Sequence, residues 1–337
     1  MSLIINDTSY AGTFASQFWL PATFQADTLR KGVVNTIDGI KKAHTIGTMD
    51  FTNPLQKRVA TPTPNTSNFD INGRVLTPQD IMVYSEFNPR DFEQHWLAEQ
   101  LSPTLLAREV PVQAENYMLQ IALNRAMEQL ENGIWMGSTT YTATPGTAGN
   151  GQIVFFDGFI KKMVNDAAVL KVASPLPLSA APSSVSVYNI KDAMEALISL
   201  AAANAKALIA DPLRYDRMKF LVSVNTQQIW QDYLTSALDF KGNNTTDRAI
   251  DKYRGYTIEA LAGMPDNTIV FTRATDDFNS SLHVGMNSTE DNELQLMRLQ
   301  NNSELFFIKG LMKFDTQYKF SAEAFLFTTL TSGTFTA

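Results

Sequence analysis

Between residues 45 and 86 the chain is dominated by Thr, Asn, Pro and Gly, and this segment constrains the fold more than any other. It contains the run FTNPLQKRVATPTPNTSNFDINGRVLTPQDIMVYSEF. Roughly forty residues with so few apolar side chains cannot bury a core of their own, and a structureless loop of that length is rare inside a compact domain. β-Branched residues at 57–61, 74–77 and 81–85 predict short strands around a turn-rich tip that holds Pro62, Pro64 and the Asn72 and Gly73 pair. A two-stranded ribbon is marginal by itself in water, so such a projection must find its stability on a neighbour. A disordered insertion is the alternative, and the β-branched residues at the base favour the projection.

The rest of the chain has the means to fold. Of 337 residues, 44% are hydrophobic and 18% are charged, enough for one large unit or two domains. The balance of 27 basic against 34 acidic side chains gives a net charge of −7. That balance argues against a protein that grips phosphates with clustered Lys and Arg, and it suits one that lives near DNA without sticking to it. Cysteine is absent, which removes disulfide scaffolds, thiolate metal sites and cysteine nucleophiles together. No apolar run reaches the length of a membrane-spanning helix, and the first residues carry no signal-peptide pattern.

Along the chain, the segment before 45 carries scattered aromatics (Tyr10, Phe14, Phe18, Trp19 and Phe24), with a short amphipathic helix expected within 16–31. Asn88 and Pro89 read as a cap and first turn of a helix beginning PRDFEQHWLAEQL. A longer helix is predicted from Pro111 to a stop at Asn132 and Gly133. Its apolar positions, Ala114, Met118, Ile121, Ala122, Met127 and Leu130 with Leu119, Leu123 and Ala126 beside them, predict a spine covered on most sides. FDGFIKKMVNDAAVLK reads as a further helix, and SPLPLSAAPSSVSV (174–187) as a linker. Then helix and strand alternate: a helix over 188–209 capped by Asn189, a strand KFLVSVN, a helix capped by Asn225, and strands in GYTIEALAGMP and TIVFTR. ELQLMRLQ, ELFFIKGLMKF and YKFSAEAFLFT close the chain as strands. The class is α+β.

Catalytic chemistry does not announce itself. His44, His95 and His283 share no metal-binding spacing, and no Walker-type, dinucleotide or nucleophile-elbow motif is present. Glu290, Asp291 and Glu293, like Asp276 and Asp277, read as solvated turns, and Trp96, Trp135 and Trp230 as core residues. No catalytic, cofactor-binding or metal-binding residue is assigned. An enzyme or carbohydrate-binding module with 45–86 as a lid would have only Glu86, Asp91 and His95 to work with near that loop.

The order of elements is similar to that of the major capsid proteins of tailed bacteriophages, the Hong Kong 97-type fold. TPQDIMVYSEFNPRDFEQHW resembles the strand descending from that family's E-loop into its first P-domain helix. KFLVSVNTQQIWQDYL with YRGYTIEALAGMPDNTIVFTR resembles the A-domain, and the strands from LHVGM to AFLFT resemble the closing part. The resemblance spans about 40–330 and implies an N-terminal arm (1–44), an E-loop (45–86), a P-domain with its spine helix at 111–132 (87–187), an A-domain (188–285) and P-domain closing strands (286–337). It implies a homo-oligomeric shell of pentamers and hexamers around double-stranded DNA, with a portal and a separate scaffolding protein as partners, assembled in the host cytoplasm and resident in the virion. Inter-subunit contacts are expected from Lys57, Arg58, Phe69 and Arg74 in the E-loop and from Tyr10, Phe14, Phe18 and Trp19 in the arm. Lys57 is the only E-loop lysine and has no assignable Asn partner, so no covalent crosslink is expected. An encapsulin-type nanocompartment is the other shell reading.

Overall fold

The structure is a computed structural model that describes residues 8–11, 26–50, 57–61, 70–88, 112–143, 150–173, 185–187, 189–203, 217–235, 251–287, 293–299 and 302–335. The helix expected from Pro89, Trp96 and most of the 174–187 linker lie outside these residues, as do Glu290 and Asp291. Two six-stranded sheets and a two-stranded ribbon organise the described residues.

The first sheet is built around β13 (Asn302–Tyr318), a strand of 17 residues. β12 (Glu293–Leu299) and β11 (Leu282–Met286) pair along one of its edges, and β5 (Gln79–Phe87) pairs along the other. β1 (Thr8–Ala11) extends the sheet beyond β12 and β2 (Asn35–Ile37) beyond β11. The second sheet runs in the order β6 (Leu170–Lys171), β14 (Phe325–Thr328), β10 (Thr268–Arg273), β7 (Met218–Ser223), β9 (Tyr256–Leu261) and β8 (Lys252–Tyr253).

Strand parity explains how one sheet serves two cores, because alternate side chains point to opposite faces. On one face of the second sheet, Leu221, Leu261, Val270 and Leu326 join the main core with helices α2 (Val112–Met136) and α3 (Phe159–Asn165) and the first sheet. On the other, Phe220, Val222, Ile258, Ile269, Phe271, Phe325 and Phe327 pack against α4 (Ile190–Ala203) and α5 (Val224–Thr235). Phe220 and Phe271 face each other in register with ring centroids 4.4 Å apart. Trp135 and Trp230 are buried, as the sequence leads one to expect.

The structure differs from the sequence reading where local pattern competes with tertiary packing. α2 passes through Asn132 and Gly133 and ends at Met136. The extra turn buries Ile134 and Trp135, and the stop falls at Gly137, where a Cβ would sit 2.5 Å from both the Gly133 and Phe156 carbonyl oxygens. Over 119–130 the helix is covered on one side, with Leu119, Leu123, Met127 and Leu130 buried and Ile121, Asn124, Arg125 and Glu128 exposed, and at its end Glu131, Ile134 and Trp135 are all buried. α5 begins at Val224 with Asn225 inside it. Its cap is Ser223, whose hydroxyl oxygen accepts from the Thr226 N–H at 3.1 Å. α3 is only seven residues long, because Asp166 turns the chain by accepting from the Ala168 N–H. α1 (Asp27–Arg30) is all that is described of the helix expected within 16–31. Strand pairing also interleaves the blocks drawn from sequence. β11 lies within 188–285 except for Met286 yet joins the first sheet, while β14 lies within 286–337 yet joins the second. The FLFT run of β14 is apolar on both faces, which suits a strand between two cores.

Candidate assembly surfaces

Of the strands expected in the projection, 74–77 falls at the end of β4 (Asp70–Leu76) and 81–85 within β5, whereas 57–61 forms none. Among the described residues β3 (His44–Asp50) and β4 pair only with each other, from His44 against Leu76 to Asp50 against Asp70. Residues 57–61, expected as a strand, are exposed and belong to none. Residues 79–86, expected within the projection, instead pair along β13 together with Phe87 as β5. The Asn72 and Gly73 pair is no turn. It lies inside β4, with Gly73 opposite Gly47, and a Cβ on Gly73 would meet Thr45 Cγ2 at 2.5 Å.

The root of this hairpin is tied to its own chain. Ile46 and Leu76 form a small buried cluster with Ile40, and Ile37 packs against it. The Arg74 guanidinium stacks 4.1 Å above the Tyr318 ring and donates to Asp166 Oδ2. The Tyr318 hydroxyl donates to the same oxygen at 2.6 Å. The Thr77 N–H donates to Asp315 at 2.9 Å, and Lys162 Nζ approaches the other oxygen of that carboxylate at 3.0 Å. Burial pushes the Asp166 carboxyl up, but hydrogen bonds from Tyr318, the Ala168 N–H and Arg74 outweigh it, so its pKa lies below the usual value. Burial, together with donation to Asp166, pushes the Tyr318 hydroxyl up.

The part of the arm that is described is also bound to its own chain. β1 and β2 are strands of the first sheet. Between them, Thr28 donates to Glu131 of α2 from both its N–H (3.0 Å) and its hydroxyl (2.5 Å), and Trp135 Nε1 donates to the Thr28 hydroxyl at 2.8 Å. The Gly263 N–H, in the turn between β9 and β10, reaches the same Glu131 carboxylate at 3.3 Å. One buried carboxylate therefore joins the arm, the long helix and the second sheet. Burial pushes its pKa up, the three hydrogen bonds oppose that, and the Asp27 charge adds to it.

Of the expected contact residues, Lys57 and Arg58 are exposed, and Arg74 is half-buried in the root described above. Tyr10 lies in β1, opposite Leu294. Phe14, Phe18, Trp19 and Phe69 lie outside the described residues, as do Asp91 and His95. Glu86 is exposed and accepts the Tyr84 hydroxyl bond at 2.5 Å. Sequence reading missed Asp166, Tyr318, Thr28 and Glu131. Thr28 and Glu131 stand 103 positions apart and Asp166 and Tyr318 stand 152 apart, so no local pattern connects them.

No protein-family model matches the sequence, and comparison with curated proteins finds no match. Solved structures do match. A chain from the capsid of the native GTA particle aligns with a TM-score of 0.54 at 10% identity, covering 89% of this chain and 89% of that one. A chain from the satellite phage P4 procapsid, which includes the size determination protein, gives 0.51 at 10% identity over 92% and 98%. This is a capsid-protein fold. The capsid of Myoviridae phage XM1 gives the same TM-score, 0.51, at 12% identity over 90% and 92%. The capsid-protein fold thus spans both six-stranded sheets rather than one lobe.

Proposed function

We propose that this chain is a major capsid protein of the tailed-phage type, a structural subunit without catalytic activity whose copies close into a shell around double-stranded DNA. The observation that carries the reading is the fold match to capsid chains over nearly the whole length of both partners. On this reading residues 1–44 supply the arm, 45–86 the E-loop, 87–187 and 286–337 the P-domain with α2 as its spine, and 188–285 the A-domain. The strand pairing suggests two adjustments: β11 belongs with the P-domain sheet and β14 with the A-domain sheet.

Five or six copies gather around an axis to make each capsomer. The hairpin, whose strands have no further partner among the described residues, gains one on an adjacent subunit. Lys57, Arg58 and Phe69 serve that contact, and Tyr10, Phe14, Phe18 and Trp19 serve the arm. A closed shell engages many such contacts together, so weak single interfaces give a durable whole. The net charge of −7 lets packaged DNA slide without being held. A portal and a separate scaffolding protein complete assembly in the host cytoplasm, and the finished shell belongs to the virion.

Electron microscopy of the purified chain, alone and with a co-expressed scaffold, tests this. Closed shells of uniform size are the expected result, and small discrete oligomers under both conditions overturn it. Shells that co-purify an enzyme cargo would instead identify a nanocompartment.

A further inference from the structure

Five acidic or amide residues of the chain are each followed by glycine: Asp38, Asn72, Asn132, Asn150 and Asp157. Such a pair can rearrange without an enzyme, because the glycine nitrogen can attack the side-chain carbonyl carbon and no second side chain hinders the approach. By residue type alone the three Asn-Gly pairs rank first, since an amide is attacked more readily than a carboxyl group. The fold reverses that order.

Asn72 and Gly73 lie in the paired ladder of β4, where a Cβ on Gly73 would meet Thr45 Cγ2 at 2.5 Å. Asn132 and Gly133 are held in α2, and Asn150 and Gly151 in a short 3-10 helix over Asn150–Gln152. Asp157 Oδ1 accepts from Lys161 at 2.6 Å and from the N–H and hydroxyl of Thr139, each at 2.9 Å. The Gly158 N–H donates to the Gly137 carbonyl at 2.9 Å, and a Cβ on Gly158 would stand 2.6 Å from the Trp135 carbonyl oxygen, so this pair has no room to close a ring.

Asp38 and Gly39 are different. Both are exposed in the loop between β2 and β3. The Gly39 N–H donates to Asp38 Oδ1 at 2.7 Å, and the carboxyl carbon is one bond beyond that oxygen. Gly39 has φ +78°, which glycine adopts without steric cost, and a Cβ there would meet nothing within 4 Å. Reacting groups held this close have already lost the freedom that a cyclisation must remove.

We propose that the Asp38 and Gly39 pair is a site of spontaneous isomerisation to isoaspartate at the root of the β3–β4 hairpin. The Gly39 nitrogen gives up its proton and bonds to Asp38 Cγ, and the hydroxyl of the protonated carboxyl leaves as water, closing a succinimide. Water then adds to the former peptide carbonyl carbon and the original C–N bond breaks, so that the backbone runs through Cβ and Cγ. The product keeps the charge but lengthens the main chain by one methylene between two fixed points. Upstream, Ile37 pairs with Gly285. Downstream, the Ile40 N–H donates to the Met286 carbonyl at 3.2 Å, and the Ile40 side chain lies in the buried cluster with Ile46 and Leu76. A Cβ on Gly285 would meet Ile40 Cδ1 at 2.9 Å, so the packing there has no slack. Isomerisation therefore displaces Ile40 and loosens the hairpin, a change that accumulates with the age of the molecule. It does not depend on the reading of the chain as a shell subunit.

The purified chain is aged warm in weakly acidic buffer, which supplies the protonated carboxyl, and mapped after digestion. Trypsin releases GVVNTIDGIK (32–41) as one peptide, and electron-transfer fragmentation separates the isoaspartyl form from the normal one. Isoaspartate at position 38 is expected to rise with time and to exceed that at the other four positions together. Amide exchange in β3 and β4 should speed up in the same samples while the second sheet stays unchanged. Asp38→Asn, whose side chain loses ammonia instead of water, should convert many-fold faster, and Asp38→Ser should show neither conversion nor faster exchange on ageing. The wild-type map stands by itself should either variant melt early. Aged wild type with an unmodified Asp38, or with more conversion at Asn72, Asn132 or Asn150, overturns the site. Conversion at position 38 with unchanged exchange in β3 and β4 overturns its effect on the hairpin.

Discussion

The Arg74 guanidinium lies 4.1 Å above the Tyr318 ring, and both side chains donate to the same oxygen of Asp166. This triad pins the root of the β3–β4 hairpin to the end of β13. On the proposed reading, in which the projection docks on another subunit, such a rigid base helps, because every degree of freedom lost on docking subtracts from affinity.

Replacing Arg74 with Ala should loosen this root. Both partners of the ion pair are roughly a quarter exposed, so solvent screening limits the loss to about 1–2 kcal/mol of ion pair and cation–π energy. Amide exchange should speed up in β3 and β4 and stay unchanged in the second sheet. The pH dependence has a definite sign. The folded pKa of Asp166 is depressed, so its contribution is present above the unfolded value and lost as pH falls through the folded one. In wild type the root should release in acid, and in Arg74→Ala that release should move toward higher pH. Identical exchange profiles for the two proteins would remove the triad from the account.

Glu131 behaves in the opposite sense. Its folded pKa is raised, so its contribution is fully present below the unfolded value and declines as pH rises through the folded one. Glu131→Gln removes the charge but also places an amide N–H₂ among donors from Thr28 and Gly263. A buried donor facing donors costs about 1–3 kcal/mol. Denaturant midpoints at neutral pH should therefore fall for Glu131→Gln, with the gap to wild type widening as the pH is lowered. A midpoint equal to or above wild type would mean that Glu131 is not the shared acceptor of the arm, the helix and the β9–β10 turn.

His283 supplies a second acid-sensitive point, where β2 joins the first sheet. Its ring is fully buried, with Nε2 donating to the Ser280 carbonyl at 3.0 Å and Nδ1 accepting from the Asn35 amide at 3.1 Å. Burial, then the positive charge of Lys319, lowers its pKa to about 4. The unfolded chain takes up this proton near pH 6.5, so stability should drop by about 3 kcal/mol as pH falls from there to about 4. His283→Gln should flatten that slope in a pH series of denaturant midpoints. An unchanged slope would assign the acid sensitivity to other groups.

What the sequence disclosed follows physical range. The period of Leu119, Leu123, Met127 and Leu130 shows in the order of residues alone, as do the apolar runs of β7, β10 and β14, because burial imposes a local pattern. The end of α2 was not legible there. Asn132 and Gly133 carry a stop signal of about 1 kcal/mol, and burying Ile134 and Trp135 outweighs it. β3 hides because HTIGTMD has one buried side chain, Ile46, among its described ones, and a strand with one apolar contact barely alternates. The root triad and the Glu131 junction had no signal at all, since hydrogen bonds between residues 92 or more positions apart leave no mark on spacing.

The tip of the projection gives the last prediction. β3 ends at Asp50 and β4 begins at Asp70, and the root contacts of Arg74, Leu76 and Thr77 lie beyond them. Replacing 51–69 with a two-residue turn therefore keeps both strands, the Ile40 cluster and the Arg74 triad. The shortened chain should fold with a melting temperature close to that of the full chain, because closing a shorter loop costs less entropy and no described core residue is removed. It should nonetheless fail to make shells in sedimentation and microscopy, because Lys57, Arg58 and Phe69, the proposed contacts, have gone with the tip. A folded, shortened chain that assembles normally would show that the projection does not hold subunits together. A chain that no longer folds would place the tip's contribution within the subunit rather than between subunits.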